Sequence, residues 1–88
     1  MVIFITLSKF RKKPTKEMTA EVTKIVQSMA EKGVRILGFY WTLGRYDTVV
    51  IMEAPNEKSA MKANMMVGDI VSTETMVGTP REEAIKLV

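Results

Sequence analysis

The sequence contains no cysteine and no histidine. Without cysteine, disulfides, thiolate nucleophiles and Cys-ligated zinc or iron-sulfur centres are excluded. Without histidine, the serine triad, imidazole general bases and almost every catalytic zinc arrangement are excluded as well. Only carboxylates, Tyr, Lys, Ser and Thr remain as catalytic groups. We therefore expect no metal and no cofactor.

Long hydrophobic runs are also missing, since no apolar stretch approaches the roughly 20 residues that a membrane span requires. The first ten residues, MVIFITLSKF, alternate rather than forming a signal-like apolar block. We expect a cytoplasmic protein with no membrane partner. At 88 residues the chain forms one domain over residues 1–88. A chain of this size removes only about 60% of its unfolded surface from water, so its stability is marginal without a partner surface.

The formal charge of +3 is concentrated in one segment. That segment, here called the basic segment, runs from Lys9 to Lys16 and contains Lys9, Arg11, Lys12, Lys13 and Lys16. From Glu17 onward there are eight basic and ten acidic residues. We interpret the basic segment as a solvated loop, with binding of an anionic ligand or nucleic acid as the alternative. Phe10 is the only aromatic residue in it, so we expect weak, salt-sensitive attraction to nucleic acid at most and no specific binding.

The aromatic residues cluster, because four of the six, Phe39, Tyr40, Trp41 and Tyr46, lie between Gly38 and Ala54. Apolar, β-prone runs at 39–43 and 48–52 flank the turn Gly44-Arg45-Tyr46-Asp47. Glycine in that turn can adopt positive φ. The pattern predicts a β-hairpin with strands over 34–43 and 48–54.

The remaining elements follow from periodicity and capping signals. Residues 2–8 form a strand that is apolar on both faces. Thr15 caps a helix that ends at Lys32-Gly33, and Asn56 caps a second helix through about Val67. Residues 70–77 are predicted to form a fourth strand. Thr79-Pro80-Arg81-Glu82 is predicted to form a capping box, with proline at the first helical position of a short terminal helix. The methionines of the two long helices fill gaps in the core.

The order β-α-β-β-α-β, with short connections, predicts an α+β fold, the ferredoxin-like plait with both long helices on one face of an antiparallel sheet. If Leu43 pairs with Thr48, one face of the hairpin carries Leu37, Phe39, Trp41, Val50 and Met52. The other, open face carries Gly38, Tyr40, Thr42, Val49, Ile51 and Glu53. We expect Phe4 and Thr6 to join the open face, which is then too apolar for a monomer and should be covered by a second copy.

The run Phe39 to Asp47, followed by Val49-Val50 and Glu53-Ala54-Pro55, resembles the GYD domain family, whose Gly-x-Tyr-Asp turn is here Gly44 to Asp47. Thr73-Glu74-Thr75 late in the fourth strand is also similar to that family. The resemblance spans nearly the whole chain and implies a dimeric α/β barrel built from ferredoxin-like protomers. It implies no settled activity and no catalytic residue.

The candidate ligand-binding residues are Tyr40, Glu53, Thr6 and Glu74, predicted to supply the polar groups of a small, mostly apolar pocket on the open face. With the first strand between them, Glu53 and Glu74 would lie about 10 Å apart by strand spacing. Gly44, Tyr46 and Asp47 form the turn motif, whose alternative role is the lip of a ligand site. Local structure is the favoured explanation: positive φ, a packed ring and an aspartate bonded to nearby backbone.

Three functions fit these observations. The favoured one is a dimeric module that binds or senses a small ligand in the barrel. The second is a cofactor-independent isomerase or oxygenase, which the missing histidine disfavours. The third is an RNA-binding plait, which is disfavoured because the third strand has no aromatic residue to stack on a base.

Overall fold

The computed structural model describes all 88 residues, Met1–Val88, as four strands, two long helices and a short helical C terminus. The elements are β1 (Val2–Phe10), α1 (Lys16–Glu31), β2 (Arg35–Trp41), β3 (Thr48–Ala54), α2 (Glu57–Met66), β4 (Val71–Gly78) and α3 (Arg81–Ala84), followed by a 3-10 turn at Ile85–Leu87. The strands form one antiparallel sheet in the order β2-β3-β1-β4. The ferredoxin-like prediction is therefore confirmed.

Helix boundaries coincide with the capping signals. The Thr15 hydroxyl accepts the Met18 amide at 3.1 Å, and α1 ends before Gly33, whose φ is +86°. The Asn56 side chain accepts the Ser59 amide at 3.0 Å at the start of α2. These contacts satisfy amides that a helix terminus leaves without partners.

Both long helices pack on the same face of the sheet, here called the inner face. In the core, Met29 of α1 and two small residues of α2 pack with residues of β1 and β3 and with Val34, which precedes β2. Its members are Phe4, Met29, Val34, Met52, Ala54, Ala60 and Ala63. Alanine at the two α2 positions lets that helix approach the sheet closely. The opposite face, the open face, carries no element of the chain.

Several boundaries differ from the sequence prediction. β2 ends at Trp41 rather than at residue 43, and β4 is displaced by one residue to Val71–Gly78. β1 continues to Phe10 because Lys9 and Phe10 pair with Ser72 and Val71 of β4. The predicted capping box at Thr79 does not form: Pro80 is the N-cap residue of α3 and no side chain caps it. The final residues remain exposed, including Leu87 and Val88.

The hairpin register is also shifted by two residues from the prediction. Trp41, rather than Leu43, pairs with Thr48, and Phe39 pairs with Val50. A shift of two preserves which face each side chain occupies, so Phe39, Trp41, Val50 and Met52 do share one face. An irregularity between Ile36 and Gly38 leaves Leu37 unpaired, so Ile36 takes the inner position opposite Met52.

Candidate functional site

A cavity of about 340 Å³ lies between the inner face and the two long helices. Six residues of α1 and three of the α2 region cover it, and residues of all four strands form its floor. The lining consists of Thr6, Ser8, Phe10, Met18, Thr19, Val22, Thr23, Val26, Met29, Ile36, Phe39, Trp41, Thr48, Val50, Met52, Ala63, Asn64, Val67, Val71 and Thr73. Thirteen of these 20 residues are hydrophobic, and all the others are Ser, Thr or Asn.

The floor of the cavity contains a row of hydroxyl groups across three adjacent strands, here called the hydroxyl row. Ser8 of β1 pairs with Thr48 of β3 on one side and with Thr73 of β4 on the other. Ser8 and Thr48 are only 3% and 4% exposed. None of the three hydroxyls forms a hydrogen bond to another side chain. None of them is a completely buried polar group that lacks a hydrogen-bond partner. Neighbouring strands are about 4.8 Å apart, so the row extends over about 10 Å.

A second polar group in the same region is already satisfied within the chain. The hydroxyls of Thr6 and Thr75 lie 2.8 Å apart, and Asn64 of α2 donates from Nδ2 to the Thr75 hydroxyl at 2.6 Å. This network ties β1, β4 and α2 together beside the cavity. It leaves the hydroxyl row as the set of floor hydroxyls that are free to bind another molecule.

Aromatic side chains surround one end of the cavity. Trp41 is 59% exposed and Phe39 is 39% exposed although both contribute to the lining, so the cavity opens beside edge strand β2. The Phe10 and Trp41 rings meet edge to face with centroids 5.1 Å apart. These rings offer flat apolar surfaces at the entrance.

The Gly44 to Asp47 turn is connected to both β1 and β4. Gly44 has a φ of +100°, which favours glycine. The Asp47 carboxylate accepts the Phe10 amide at 2.8 Å, and the Asp47 amide donates to the Ser8 carbonyl at 2.8 Å. The Tyr46 hydroxyl donates to Glu74 of β4. The turn therefore holds the end of β1 in place, including the Phe10 ring at the cavity entrance.

The Tyr46 phenol is electrostatically perturbed by this contact. Its hydrogen bond to Glu74 raises the pKa of Tyr46 above the ordinary value of 10.0, and desolvation and the negative charge of Glu74 act in the same direction. Arg45, whose guanidinium lies 5.7 Å from the Tyr46 ring centroid, lowers it. The protonated phenol is therefore stabilised.

The predicted site residues do not lie together. Tyr40, Glu53 and Glu74 are on the open face, but Thr6 is on the inner face, paired with Val50. The expectation that Phe4 and Thr6 lie on the open face is wrong, since both are 3% exposed beneath the helices. β1 is apolar on both parities, so its alternation alone could not assign its faces.

The two open-face carboxylates are also further apart than expected. Glu53 pairs with Ile3, whereas Glu74 pairs with Leu7 four residues along β1. Two strand spacings and four residues of rise separate them by about 16 Å. Arg35 lies directly opposite Glu53. Each carboxylate therefore has its own polar neighbour at the edge of the open face.

Sequence reasoning missed the polar residues of the cavity, above all Ser8, Thr48 and Thr73 on its floor and Asn64 on its α2 side. A signal for two of its residues was present in β1, where Phe4, Thr6 and Ser8 alternate with Ile3, Ile5 and Leu7. A central strand with hydroxyls on one side and aliphatic side chains on the other predicts a polar feature on the hydroxyl side. Pairing with Thr48 and Thr73 is visible only in the folded sheet.

The structure contains no group of three Asp or Glu residues arranged to hold a metal ion. None of its helices combines the length and apolar character needed to cross a bilayer.

Fold and cavity define an α+β protein of the ferredoxin-like class with an inner-face cleft. The chain belongs to the GYD domain family, whose model matches residues 2–88. Structurally it is similar to LrpC of B. subtilis, with a TM-score of 0.67 and 12% identity over 91% of this chain and 51% of LrpC, so it spans about half of that protein. It is also similar to TTHA0845 from Thermus thermophilus, with a TM-score of 0.51 and 17% identity over 90% of this chain and 94% of that one. These identities show the fold alone. No curated protein matches the sequence.

Proposed function

We propose that this protein is a small-molecule binding or sensing module whose ligand occupies the cavity between the inner face and the helices. The observation that carries the proposal is the combination of a 340 Å³ apolar cavity with the hydroxyl row on its floor. Ligand pockets have this composition: mostly apolar walls and a few placed hydrogen-bonding groups. The proposal moves the site from the open face, where the sequence predicted it, to the inner face.

The direction of the β1 side chains supports this choice. A core that merely packs would place aliphatic residues of the central strand under the helices, because burying a hydroxyl without a partner costs free energy. Instead Ser8 points inward with Thr6, while Ile3, Ile5 and Leu7 point to the open face. The Thr6 hydroxyl has its partner in Thr75, whereas the Ser8 hydroxyl has none within the chain and is explained if a bound molecule supplies one.

The lining favours binding over the alternative of a cofactor-independent isomerase or oxygenase. General acid–base chemistry needs a group whose pKa lies near the working pH. The cavity offers hydroxyls and one carboxamide, and no carboxylate, lysine or tyrosine. Such groups orient a ligand rather than move its protons.

The aliphatic open face supports a homodimer as the working assembly. Ile5 at its centre lies between Ile51 of β3 and Met76 of β4. A second copy offers an identical apolar sheet, and two such sheets packed face to face remove both from water. Neither nucleic acid nor a membrane is part of this proposal.

A fragment screen tests the binding proposal. Amide chemical shifts of the ¹⁵N-labelled protein would be followed while one- and two-ring organic compounds are added. Binders are expected to shift Ser8, Val50 and Thr73 more than Ile3 or Glu53. Val22→Trp, which fills the cavity from α1, should abolish these shifts, and Ala20→Trp on the exposed side of the same helix should not.

The proposal is overturned if no compound shifts the inner-face amides, or if Val22→Trp binds the same compounds as well as the unmodified protein does.

A further inference from the structure

We infer that the ligand is an electrically neutral molecule with a flat ring system and at least one polar edge, bound with that edge on the hydroxyl row. This inference rests on the proposed function and specifies the ligand class for the same cavity. It follows from three properties of the lining: its charge, the state of its hydrogen-bonding groups and the position of its aromatic rings.

Charge is absent from the whole lining. No Asp, Glu, Lys or Arg is among the 20 residues. An ion moved from water into such a site would lose its hydration without gaining a counter-charge, at a cost that a few hydroxyl contacts do not offset. The basic segment does not change this conclusion, because none of its charged side chains lines the cavity. Arg11 donates from Nε to the Gly68 carbonyl at 2.7 Å, and the Lys9 ammonium lies 5.8 Å from the Tyr46 ring centroid.

The hydroxyl groups of the α1 wall are already hydrogen-bonded within the chain, whereas those of the hydroxyl row on the floor are not. On the α1 wall, Thr19 donates to the Lys16 carbonyl at 2.8 Å and Thr23 to the Thr19 carbonyl at 3.0 Å, so both hydroxyl protons are engaged by the helix itself. On the floor, Ser8, Thr48 and Thr73 have no such bond. The polar groups of a bound molecule are therefore expected along the sheet, and its apolar part against α1.

Ring surfaces continue the hydroxyl row at its β2 end. Trp41 pairs with Thr48, so the order across the sheet is Trp41, Thr48, Ser8, Thr73. Phe39 is on the same inner face, two residues along β2 from Trp41, and pairs with Val50. A flat ring fits these surfaces better than a flexible chain does, because it loses little conformational entropy on binding and presents its faces to Trp41 and Phe39.

Three matched probes test the charge requirement: 1-naphthol, which is uncharged at pH 7, 1-naphthoate and 1-naphthylmethylammonium. Dissociation constants would be measured by NMR titration of the 88-residue protein at fixed ionic strength. We expect 1-naphthol to shift the inner-face amides and to bind about tenfold or more tightly than either ion. If either ion binds as tightly as 1-naphthol, the neutral-ligand inference is wrong and the binding proposal stands. If none of the three probes shifts the inner-face amides, the inference is also wrong, and the fragment screen separately decides the binding proposal.

The role of the hydroxyl row is tested by Ser8→Ala combined with Thr48→Val, which remove two hydroxyls and change the side-chain volumes little. Affinity for 1-naphthol should fall by about three- to tenfold, the range expected for one or two hydrogen bonds. Thr79→Val, a loss of one exposed hydroxyl outside the cavity, is the control and should change nothing. Unchanged affinity in the double variant, with the fold verified by its amide spectrum, would contradict binding on the hydroxyl row.

Discussion

At the scale of single residues, three positions of the Gly-x-Tyr-Asp turn have separate structural roles. Gly44 provides the positive φ, Asp47 accepts the Phe10 amide, and Tyr46 donates to Glu74. The Asp47–Phe10 hydrogen bond joins residues 37 positions apart in the sequence, and the Tyr46–Glu74 hydrogen bond joins residues 28 positions apart. The motif is thus explained by the geometry of the hairpin and its neighbours, without any reaction.

The raised pKa of Tyr46 gives a pH-dependent prediction. Because the folded state holds the phenol proton more tightly than the unfolded chain does, the Tyr46–Glu74 contact stabilises the fold below pH of about 10. Its contribution is lost as pH rises through the raised pKa. In a Tyr40→Phe background, phenolate absorbance should therefore report a midpoint above 10.0.

Glu74→Ala should lower that midpoint, because it removes the hydrogen bond and the negative charge together. Glu53→Ala, on the same face at the far end of the sheet, is the matched control and should leave it in place. An identical midpoint in the Glu74→Ala protein would show that the contact does not perturb Tyr46 in solution.

At the scale of elements, the β2–β3 turn determines where β1 ends. β1 extends through Phe10 because β4 pairs with it on one side and Asp47 satisfies the Phe10 amide on the other. The sequence predicted a strand end at residue 8, since Lys9, Arg11, Lys12 and Lys13 are polar. Tertiary hydrogen bonds extend the strand despite that local composition.

We expect Asp47→Ala to reduce the free energy of unfolding by about 1–3 kcal/mol, because it leaves the partly buried Phe10 amide without an acceptor. Urea denaturation at one fixed protein concentration measures this change. Asp47→Asn keeps an acceptor oxygen and should lose less, and Asp69→Ala, at an exposed position, should lose little. Equal stability of Asp47→Ala and the unmodified protein would refute an anchoring role for the carboxylate.

At the scale of the whole molecule, the side chains of the central strands divide unusually between the two sheet faces. The inner face is covered by helices yet contains Thr6, Ser8 and Thr48, whereas the uncovered face presents Ile5, Leu7 and other aliphatic side chains. This distribution supports the proposed protomer, whose open face meets another copy and whose inner face holds a ligand. The small size of the chain makes the additional buried surface important for stability.

Light scattering tests the proposed dimer. The unmodified protein should have twice the protomer mass at micromolar concentrations, and Ile5→Lys should give a folded monomer, because it places a charge at the centre of the interface. Met61→Lys is the matched control, since Met61 is exposed on α2, away from the open face, and should not change the mass. A monomeric mass for the unmodified protein would overturn the dimer without affecting the cavity.

The sequence by itself determined the number and order of the elements, the two helix caps and the hairpin, because periodicity and capping are local properties. It also determined that cysteine and histidine chemistry is absent. Tertiary structure decided which side of β1 faces the helices. Ile3, Ile5 and Leu7 are as apolar as Val2 and Phe4, so alternation does not predict which set of β1 side chains faces the helices. In the folded sheet Phe4 pairs with Met52, and both side chains belong to the core beneath the helices. The alternation in β1 indicated which of its side chains share a side, but only the folded sheet places Ser8 between Thr48 and Thr73 and the helices over that row.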